Sequence, residues 1–568
     1  MPNSEYPTLI KCGNSVNNAI KTCQANNKKV EISLGGGTST YTLPNDETKA
    51  KQLAKNLWNL YLGGKEDATL RPFGSVILDG VNLDIEHGKA DNGYAVLVRE
   101  LRALMKTDIS KKYTITASPQ CPFPDVLLKN ALEQEGHLFD ELYIQYYNNY
   151  CYPGDRFFKD NLQDWIGLVK NLNAKKSNGV LTIFIGLPAY PNVTINQKYY
   201  QNFREVEKLY DTVKIHDEFG GFMLWDAGWD ELSKYNNKRY SDHLKALFTK
   251  KKNIAAAWGQ NSVSNAPGDS TEASLDVYCA RKYYDILTIF LMYNTDDVLS
   301  MDMSKHCGFK FPGTNIVSCD KIIADIMKGC QTVGKKLLIT LGNVEYDMKL
   351  TSHIKAEALA NNIWNMLFAG SSQHRPFHDV VLDGITIYLK DGTTSADHWA
   401  HFFQHLRRKM DADIRKPYTI TIMTPCMFPN TKFQSLFQSI RADVDSIYVY
   451  IDNQGCSSSA DGIKSNLLDW LTLRGNSSGP NVYLGLPSDP GASGHVYLTP
   501  QNLNTTYHQV LKSMDGFGGF FLWDAGWDGH TSGKKYSDYI GEMITQAKPR
   551  PSKYFYSKCY MLKFHLSV

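Results

Sequence analysis

The stretch SVILDGVNLDIEHG, residues 75–88, has the alternating pattern of a β-strand with two unlike faces. Side chains two residues apart share a face of a strand. One face is apolar and carries Val81, Leu83 and Ile85. The other face is polar and carries Asn82, Asp84 and Glu86. Two carboxylates on an inward face are costly unless they are paired or used in chemistry. The stretch therefore predicts a buried ion-pair cluster, an exposed edge strand or a catalytic site.

Strand-like and helix-like segments alternate on both sides of this stretch. Segments 49–61 and 94–105 carry apolar residues at helical spacing. The strand-like runs of the first half are 30–34, 75–86, 113–119, 141–147, 181–188 and 220–225. Such alternation over about 250 residues is typical of an α/β fold, the parallel (β/α)8 barrel of the TIM type. Functional side chains of that fold lie at the C-terminal ends of the strands, where Asp84 and Glu86 fall.

The chain contains a duplication of a whole domain. Residues 220–230 read GGFMLWDAGWD and residues 518–528 read GGFFLWDAGWD, so the two segments differ at one position and lie 298 residues apart. Further matches follow in the same order: Gly186-Leu187-Pro188 with Gly485-Leu486-Pro487, Arg71-Pro72-Phe73 with Arg375-Pro376-Phe377, Asp79-Gly80 with Asp383-Gly384, and Trp58 with Trp364. A period of this length indicates two tandem barrels rather than a solenoid.

The two halves differ at their beginnings. Residues 253–317 include two strand-like runs, NIAAAWGQN and DILTIFLMY, that have no counterpart in the first half. We therefore expect the first barrel, residues 1–248, to be truncated at its N-terminus and to lack its first two strands. The second barrel spans 253–547, and the tail at 548–568 stays unassigned. A fragmentary gene model would account for the truncation and for the lack of a visible signal peptide.

The overall composition argues against two classes of partner. The 568 residues include 61 basic and 58 acidic side chains, which gives a formal net charge of +3. This balance indicates no preference for nucleic acid or for an anionic membrane surface. The longest apolar run near a strand pattern, residues 286–293, is too short to span a bilayer. We therefore expect neither nucleic acid nor membrane as a partner.

The motif DGVNLDIE at residues 79–86 resembles the DxxDxDxE signature of glycoside hydrolase family 18. The sequence around it is similar to the class III, hevamine-type chitinases of plants and fungi. Supporting motifs are SLGGG at 33–37, ASPQCPFPD at 117–125, QYYNN at 145–149 and Leu224-Trp225. The resemblance implies endo-type hydrolysis of β-1,4-linked N-acetylglucosamine in chitin or its oligosaccharides, with the sugar's own N-acetyl oxygen as nucleophile.

The resemblance also implies a role for each site residue. Glu86 is the general acid, Asp84 holds the acetamido N–H, and Tyr147 hydrogen-bonds the acetamido oxygen. Trp225 forms the floor of the subsite that binds the reacting sugar. The further substrate contacts are Asn82, Gln145 and Asn148. Apart from the resemblance, Tyr147 and Trp225 could equally be packed core aromatics.

One residue departs from the family pattern. Asn82 stands where the family usually has an aspartate that shares a proton with the middle aspartate during the reaction. Asparagine can hydrogen-bond Asp84, but it cannot take up negative charge. We therefore expect a slowed enzyme with a shifted pH profile, or a protein that only binds its ligand.

The second half replaces most of the site residues. Its matching strand reads VVLDGITIYLK at 380–390, so the inward positions become Thr386, Tyr388 and Lys390. Lysine cannot serve as the acid without a strongly lowered pKa. The other matching positions are Asn343, Asp452 and the retained Trp523. We expect this half to be catalytically dead, with a sugar ligand, a protein partner or a purely structural role left open.

The resemblance implies four disulfides: Cys121–Cys151, Cys279–Cys330, Cys307–Cys319 and Cys426–Cys456. Cys12 and Cys23 match family cysteines whose partners would precede residue 1, so we expect both to lack a partner. Cys559 lies in the unassigned tail. This pairing favours an extracellular compartment, and buried reduced thiols are the alternative.

Three functions stay open at this level. They are a secreted chitinase active in the first half, a non-catalytic chitin-binding or inhibitor-like protein, and a hydrolase of a related N-acetylglucosamine polymer. Asp84 together with Glu86 favours the first, because a purely binding lineage need not keep both. No metal or organic cofactor is expected, since HExxH, CxxC, P-loop and GxGxxG patterns do not occur. The two DAGWD segments each lack the partners of an aspartic catalytic centre.

Overall fold

The computed structural model describes residues 10–39, 42–65, 70–177, 179–233, 238–248, 252–265, 271–295, 297–303, 306–342, 348–389, 396–426, 431–451, 459–475, 479–492, 496–530, 533–545 and 562–563. The chain divides into two compact units. Unit 1 comprises Met1–Gln201, Glu205–Phe248 and Pro551–Val568. Unit 2 comprises Asn202–Arg204 and Thr249–Arg550.

The sheet of unit 1 has six parallel strands that pair in chain order. The strands are β1 (Glu31–Gly35), β2 (Gly80–Asp84), β3 (Thr114–Ala117), β4 (Glu141–Gln145), β5 (Thr182–Pro188) and β6 (Phe219–Trp225). The helices are α1 (Asn14–Ala25), α2 (Glu47–Tyr61), α3 (Tyr94–Met105), α4 (Lys129–Glu135), α5 (Phe158–Asn173), α6 (Phe203–Val213), α7 (Ala227–Leu232) and α8 (Tyr240–Phe248). Each strand except the last is followed by a helix before the next strand, as the sequence predicts.

The first and last strands of this sheet do not pair with each other within the described residues. The segment Leu562–Lys563 instead pairs in parallel with Ile32 and Ser33 of β1. Unit 1 is thus an open sheet of six strands in the described part of the chain, extended by two residues at its β1 edge.

Unit 2 is a closed barrel of eight parallel strands. The barrel strands are β7 (Asn253–Trp258), β8 (Ile286–Thr295), β12 (Lys336–Leu341), β13 (Gly384–Tyr388), β14 (Thr419–Pro425), β15 (Ser446–Tyr450), β16 (Asn481–Pro487) and β17 (Phe517–Trp523). Three short strands lie outside it: β9 (Val298–Met301), β10 (Phe309–Lys310) and β11 (Val317–Ser318). Pairing of β17 with β7 and of β8 with β12 completes the ring, which confirms the predicted (β/α)8 fold.

The helices of unit 2 follow the barrel strands. They are α9 (Leu275–Cys279), α10 (Lys321–Thr332), α11 (His353–Leu367), α12 (Ala396–Ala412), α13 (Thr431–Ile440), α14 (Ala460–Leu473), α15 (Pro500–Gln509), α16 (Ala525–His530) and α17 (Tyr536–Thr545). Side-chain caps fix where several of them begin. Ser352 accepts from the amide of Lys355 at the start of α11, as Asp46 accepts from Lys49 at the start of α2. Among the described residues, no helix combines the length and the apolar character that crossing a bilayer requires.

The repeated Asp-Gly pair ties neighbouring strands together. Oδ2 of Asp79 accepts from the backbone amide of Val30 (2.7 Å), and Oδ2 of Asp383 accepts from that of Leu337 (2.8 Å). A side chain on Gly80 would come within 2.2 Å of a carbonyl oxygen of β3, and Gly384 faces the same restriction. The pair therefore anchors the strand that carries the site in unit 1, and it keeps this structural role in unit 2.

The repeated Arg-Pro-Phe motif serves the end of a helix. The guanidinium of Arg375 donates to the carbonyl oxygens of Asn365, Phe368, His378 and Val380. Arg71 makes the matching set of bonds to carbonyls after α2 in unit 1. The carbonyls of Asn365 and Phe368 lie at the end of α11 and lack partners within the helix, whereas those of His378 and Val380 belong to the connection that follows. The arginine therefore ties the end of the helix to this connection.

The repeated DAGWD segment also has a structural role in each unit. Asp230 is fully buried and accepts from the backbone amide (2.8 Å) and the hydroxyl of Ser241 at the start of α8. Asp528 accepts from the amide (3.0 Å) and the hydroxyl of Ser537 in the same way. The second aspartate of each DAGWD segment therefore positions the last helix of its unit.

Three of the four expected disulfides are present: Cys121–Cys151, Cys279–Cys330 and Cys307–Cys319. Cys426 is also disulfide-bonded, but Cys456 lies outside the described residues, so that pairing stays a prediction. Cys12 is a free thiol. The expectation for Cys23 is wrong, because Cys23 is disulfide-bonded within this chain, to a residue outside the described part. The family resemblance placed the partner of Cys23 before residue 1, whereas the folded chain provides one within the sequence.

We expect Arg375→Leu to lower the free energy of unfolding by about 2–4 kcal/mol, because the carbonyls of the buried residues Phe368 and Val380 would lose a charged donor. Urea unfolding followed by circular dichroism measures the change. Arg408→Leu, at an exposed position of α12, is the control and should change stability by no more than about 0.5 kcal/mol. Equal stability of both variants would show that the carbonyls find other partners.

Candidate functional site

The positions of the acidic side chains depend on a close approach between β1 and β2. Gly35 pairs with Asp84, and the amide of Gly36 donates to the carbonyl oxygen of Asp84 (2.6 Å). A Cβ on Gly35 would lie 2.3 Å from that oxygen, and the residue has a φ of +100°. Only glycine fits such a contact and conformation. The SLGGG motif therefore allows the end of β2 to lie directly against the end of β1.

The carboxylate of Glu86 lies against the third glycine of this motif. A Cβ on Gly37 would be 3.1 Å from Oε2 of Glu86. Glu86 is half-buried, whereas the next residue, His87, is exposed and its Nε2 lies 2.9 Å from the carbonyl oxygen of Gly37. Glu86 thus has one side against backbone and the other side towards solvent, which suits a group that exchanges protons.

The asparagine that departs from the family pattern is held by hydroxyl groups. Oδ1 of Asn82 accepts from the hydroxyls of Ser33 (2.9 Å) and Ser118 (3.1 Å). Nδ2 of Asn82 donates to the hydroxyl of Thr116 (3.0 Å), which in turn donates to Glu31. Asn82 is fully buried. Its amide is therefore satisfied by strands β1 and β3 on both sides, and its orientation is fixed.

The next inward residue, Asp84, is joined to β4. Nε2 of Gln145 donates to Oδ1 of Asp84 (3.0 Å) and to the carbonyl oxygen of Ser118 (2.9 Å). Both Asp84 and Gln145 are buried. This fixed amide donor sets the plane of the carboxylate. Two of the predicted site residues are therefore in direct contact, although 61 residues separate them in the chain.

Tyr147 lies among three carboxylates at the end of β4. Burial raises the pKa of its phenol well above the usual value, and the negative charges of Asp84, Glu86 and Asp226 raise that pKa further. The phenol is therefore protonated at neutral pH and can donate a hydrogen bond. The carboxylates of Asp84 and Glu86 therefore lie close enough to Tyr147 to act on its phenol.

The remaining predicted residues lie at the rim. Trp225 is half-buried at the end of β6. Asn148 is exposed, has a φ of +59°, and accepts with Oδ1 from the amide of Ile195 (3.2 Å). Asn148 therefore joins the loops after β4 and β5, and no contact between its side chain and the buried residues of the site is seen in the described part of the chain.

Sequence reasoning missed Asp226. The sequence around DAGWD contains no partner for an aspartic catalytic centre, so it predicts no role for Asp226. In the fold, however, the negative charge of Asp226 raises the pKa of Tyr147. Asp226 also caps α7 by accepting from the amide of Trp229 (3.1 Å). The position of Asp226 directly after Trp225 could have pointed to it, because the C-terminal ends of the strands converge in this fold.

In unit 2 the same positions form an apolar interior. Thr386, which matches Asn82, is fully buried, and its hydroxyl lies 3.1 Å from that of Thr288. Tyr388, which matches Asp84, packs into a cluster with Met423, Phe521 and other apolar side chains. Trp523 contacts Phe290, with ring centroids 5.0 Å apart. The three other matching residues, Asn343, Lys390 and Asp452, lie outside the described residues.

Comparisons with known proteins agree with the motif. The model for "Glycosyl hydrolases family 18" matches residues 11–259. "Endochitinase 3" of Metarhizium anisopliae is 34% identical over 224 residues, which cover 39% of this chain and 71% of that protein. The chain belongs to glycosyl hydrolase family 18. The family-18 match covers all of the strands β1 to β6 and every predicted site residue.

Other family-18 relatives are longer. "Chitinase 3" of Candida albicans is 34% identical over 245 residues, or 43% of this chain and 41% of that protein. "Endochitinase" of Saccharomyces cerevisiae is 34% identical over 230 residues, or 40% of this chain and 39% of that protein. The chain therefore spans less than half of the length of these two relatives.

Among solved structures, the ICChI chitinase from Ipomoea carnea is 26% identical to this family-18 chain, with a TM-score of 0.42. The match covers 51% of this chain and 100% of that one.

In the part of the chain that the structure describes, no three His, Cys, Asp or Glu side chains are grouped so that they could hold a metal ion.

Unit 2 has a buried acid of its own, where its last strand meets its first. Asp524 follows Trp523, as Asp226 follows Trp225 in unit 1, and it accepts from the amide of Trp527 (3.0 Å) and from the hydroxyl of Ser262. Burial raises the pKa of Asp524 to about 7, and the negative charge of Glu272 contributes in the same direction. Asp524 therefore binds a proton in the folded state at a pH where the unfolded chain has lost it.

This proton makes the stability of unit 2 depend on pH. The unfolded carboxyl titrates near its ordinary value of 3.8 and the folded one near 7, so the stabilisation is complete below pH 4 and is lost as the pH rises to 7. A shift of this size corresponds to about 4 kcal/mol. We expect Asp524→Asn to remove this slope and to unfold at higher urea concentration at pH 7. Urea unfolding between pH 4 and 8 checks the slope, with the exposed Asp397→Asn as control. If Asp524→Asn keeps the dependence of stability on pH, another titratable group causes that dependence.

Proposed function

We propose that unit 1 hydrolyses β-1,4-linked N-acetylglucosamine in chitin, cutting within the polymer. The observation that carries the proposal is the convergence of Asp84, Glu86 and Tyr147 at the C-terminal ends of β2 and β4 in a family-18 chain. The relatives named above are chitinases, which supports the same class of substrate. The proposal concerns unit 1 because all of these side chains belong to it.

In the first step Glu86 donates its proton to the glycosidic oxygen as that bond breaks. The electrons of the new bond come from the carbonyl oxygen of the sugar's own acetamido group, which attacks the anomeric carbon and forms an oxazolinium-like intermediate. The half-buried position of Glu86 supports this role, because the carboxyl reaches solvent on one side and is restrained by Gly37 on the other.

Asp84 and Tyr147 act on the two ends of the acetamido group. Asp84 accepts a hydrogen bond from its N–H, and its negative charge stabilises the positive charge that develops on the group. Tyr147 donates its O–H to the acetamido oxygen, and its raised pKa keeps that proton in place. Gln145 holds the carboxylate of Asp84 in the plane that this arrangement requires.

In the second step water attacks the anomeric carbon from the side that the first sugar chain has left. Glu86, now ionised, takes the proton of that water and regains the form in which the cycle began. Two displacements at one carbon give net retention of configuration. Trp225 packs its ring against the apolar face of the sugar throughout. Asn82 and Asn148 are proposed to contact or position the substrate.

A second function, binding of chitin without hydrolysis, is favoured by one observation. Asn82 is satisfied by Ser33, Ser118 and Thr116, and an amide at this position cannot share a proton with Asp84. In that case the same site binds the sugar, and the protein hydrolyses it only at the background rate. Turnover by the purified chain decides between the two functions.

Unit 2 is proposed to be non-catalytic. Its interior positions carry Thr386 and Tyr388, which neither donate a proton to a leaving group nor hold a developing cation. We also propose that the protein acts outside the cell, since the disulfides of both units require an oxidising compartment.

We expect Glu86→Gln to reduce hydrolysis of chitin oligomers by about 100-fold or more, because glutamine has no proton to donate at neutral pH. Release of new reducing ends measures the rate. Glu133→Gln, on the exposed side of α4, removes the same charge away from the site and should keep the full rate.

The outcome also separates the two functions. Background turnover by the unmodified chain and by Glu86→Gln alike, together with retained binding to chitin, would establish the binding function. Loss of both turnover and chitin binding in the unmodified, folded chain would rule out both.

We expect Asn82→Asp to increase kcat about tenfold, because an acid beside Asp84 can take up a proton as the intermediate forms. The hydroxyls of Ser33 and Ser118 already donate to this position and can hold a carboxylate. The measurement is kcat as a function of pH, with Asn504→Asp on exposed α15 as the control for added charge. An unchanged pH profile in a folded Asn82→Asp protein would contradict the proton-sharing role.

A further inference from the structure

Two large rings are exposed on the segment that joins β4 to α5. Tyr150 is 56% exposed and Phe157 is 44% exposed, and their ring centroids are 6.0 Å apart at nearly a right angle. We call this pair the aromatic ledge. An exposed aromatic ring lacks the stabilisation that burial gives. Two such rings in contact therefore indicate a surface that binds a ligand with an apolar face.

Contacts within unit 1 hold the chain at both ends of the ledge. Cys151, which follows Tyr150, is buried and bonded to Cys121. On the other side, the amide of Phe157 donates to Oδ1 of Asp155 (2.9 Å), and the guanidinium of Arg156 lies 4.5 Å from the centre of the Phe157 ring. Rings that are ordered before a ligand arrives cost less entropy to use in binding.

The open edges of unit 1 do not account for this exposure. Strand β4 lies inside the sheet, with β3 and β5 paired on either side. The ledge also begins three residues after Tyr147, within about 11 Å of extended chain. It is therefore continuous with the site at the end of β4, on the same side of unit 1.

We propose that the aromatic ledge is a secondary binding surface for a longer N-acetylglucosamine chain whose reacting sugar occupies the site at Asp84 and Glu86. Pyranose rings have apolar C–H faces that stack on aromatic rings, and their hydroxyl and acetyl oxygens accept from a guanidinium such as that of Arg156. The ledge then holds polymer that extends beyond the site. This inference rests on the proposed function and names the form of its substrate: polymer or long oligomers rather than short ones.

The test uses the full chain in a Glu86→Gln background, so that the ligand is not consumed. Binding to insoluble chitin is measured by depletion from solution for Tyr150→Ala, Phe157→Ala and the double variant. We expect each single variant to bind about tenfold more weakly. Tyr150→Trp keeps a flat ring and should retain binding. Ile109→Ala removes an apolar side chain that is 99% exposed in the α3–β3 connection, and should change nothing.

The outcomes distinguish this inference from the proposed function. Full binding by the folded double variant would overturn the ledge and leave the proposed function standing. No binding by the Glu86→Gln chain itself, with a thermal unfolding curve like that of the unmodified chain, would overturn both. Equal loss in Tyr150→Trp and Tyr150→Ala would also overturn the inference, because the effect would then follow from disturbed packing rather than from a missing ring.

Discussion

The contact between the end of β1 and the end of β2 determines the rest of the site. Because Gly35 and Gly36 lie against the carbonyl of Asp84, the two strands stay paired to their last residues. Two residues beyond this pair, Gly37 lies against the carboxylate of Glu86. A side chain at Gly35 would push the strands apart and move both acids, so the glycine motif matters for geometry and not for flexibility.

Around this contact, uncharged side chains orient the inward polar groups. Oδ1 of Asp84 accepts from the side-chain amide of Gln145. The amide of Asn82 bonds to the hydroxyls of Ser33, Ser118 and Thr116. Because a neutral donor orients a carboxylate without cancelling its charge, these bonds suit the positively charged intermediate that is proposed for this site.

Unit 2 shows which features of the shared sequence belong to the fold alone. Asp383, Arg375 and Asp528 make the same backbone contacts as their partners in unit 1, and all three motifs are repeated almost without change. The inward positions of β13 differ from those of β2, since Thr386 and Tyr388 stand where unit 1 has Asn82 and Asp84, and Tyr388 packs among apolar side chains. The three repeated motifs therefore serve the fold that the two units share.

Apolar and polar residues that alternate with the period of a strand, and the helical segments between such runs, were enough to predict the barrel fold and the inward face of β2. The family resemblance added the predicted roles of Asp84, Glu86 and Tyr147. The pattern could not predict that Gln145 bonds to Asp84, that Asp226 acts on Tyr147 or that Cys23 has a partner, which the folded chain shows. These contacts join residues tens to hundreds of positions apart, and the local pattern of a chain carries no information about which distant side chains meet once the strand ends converge.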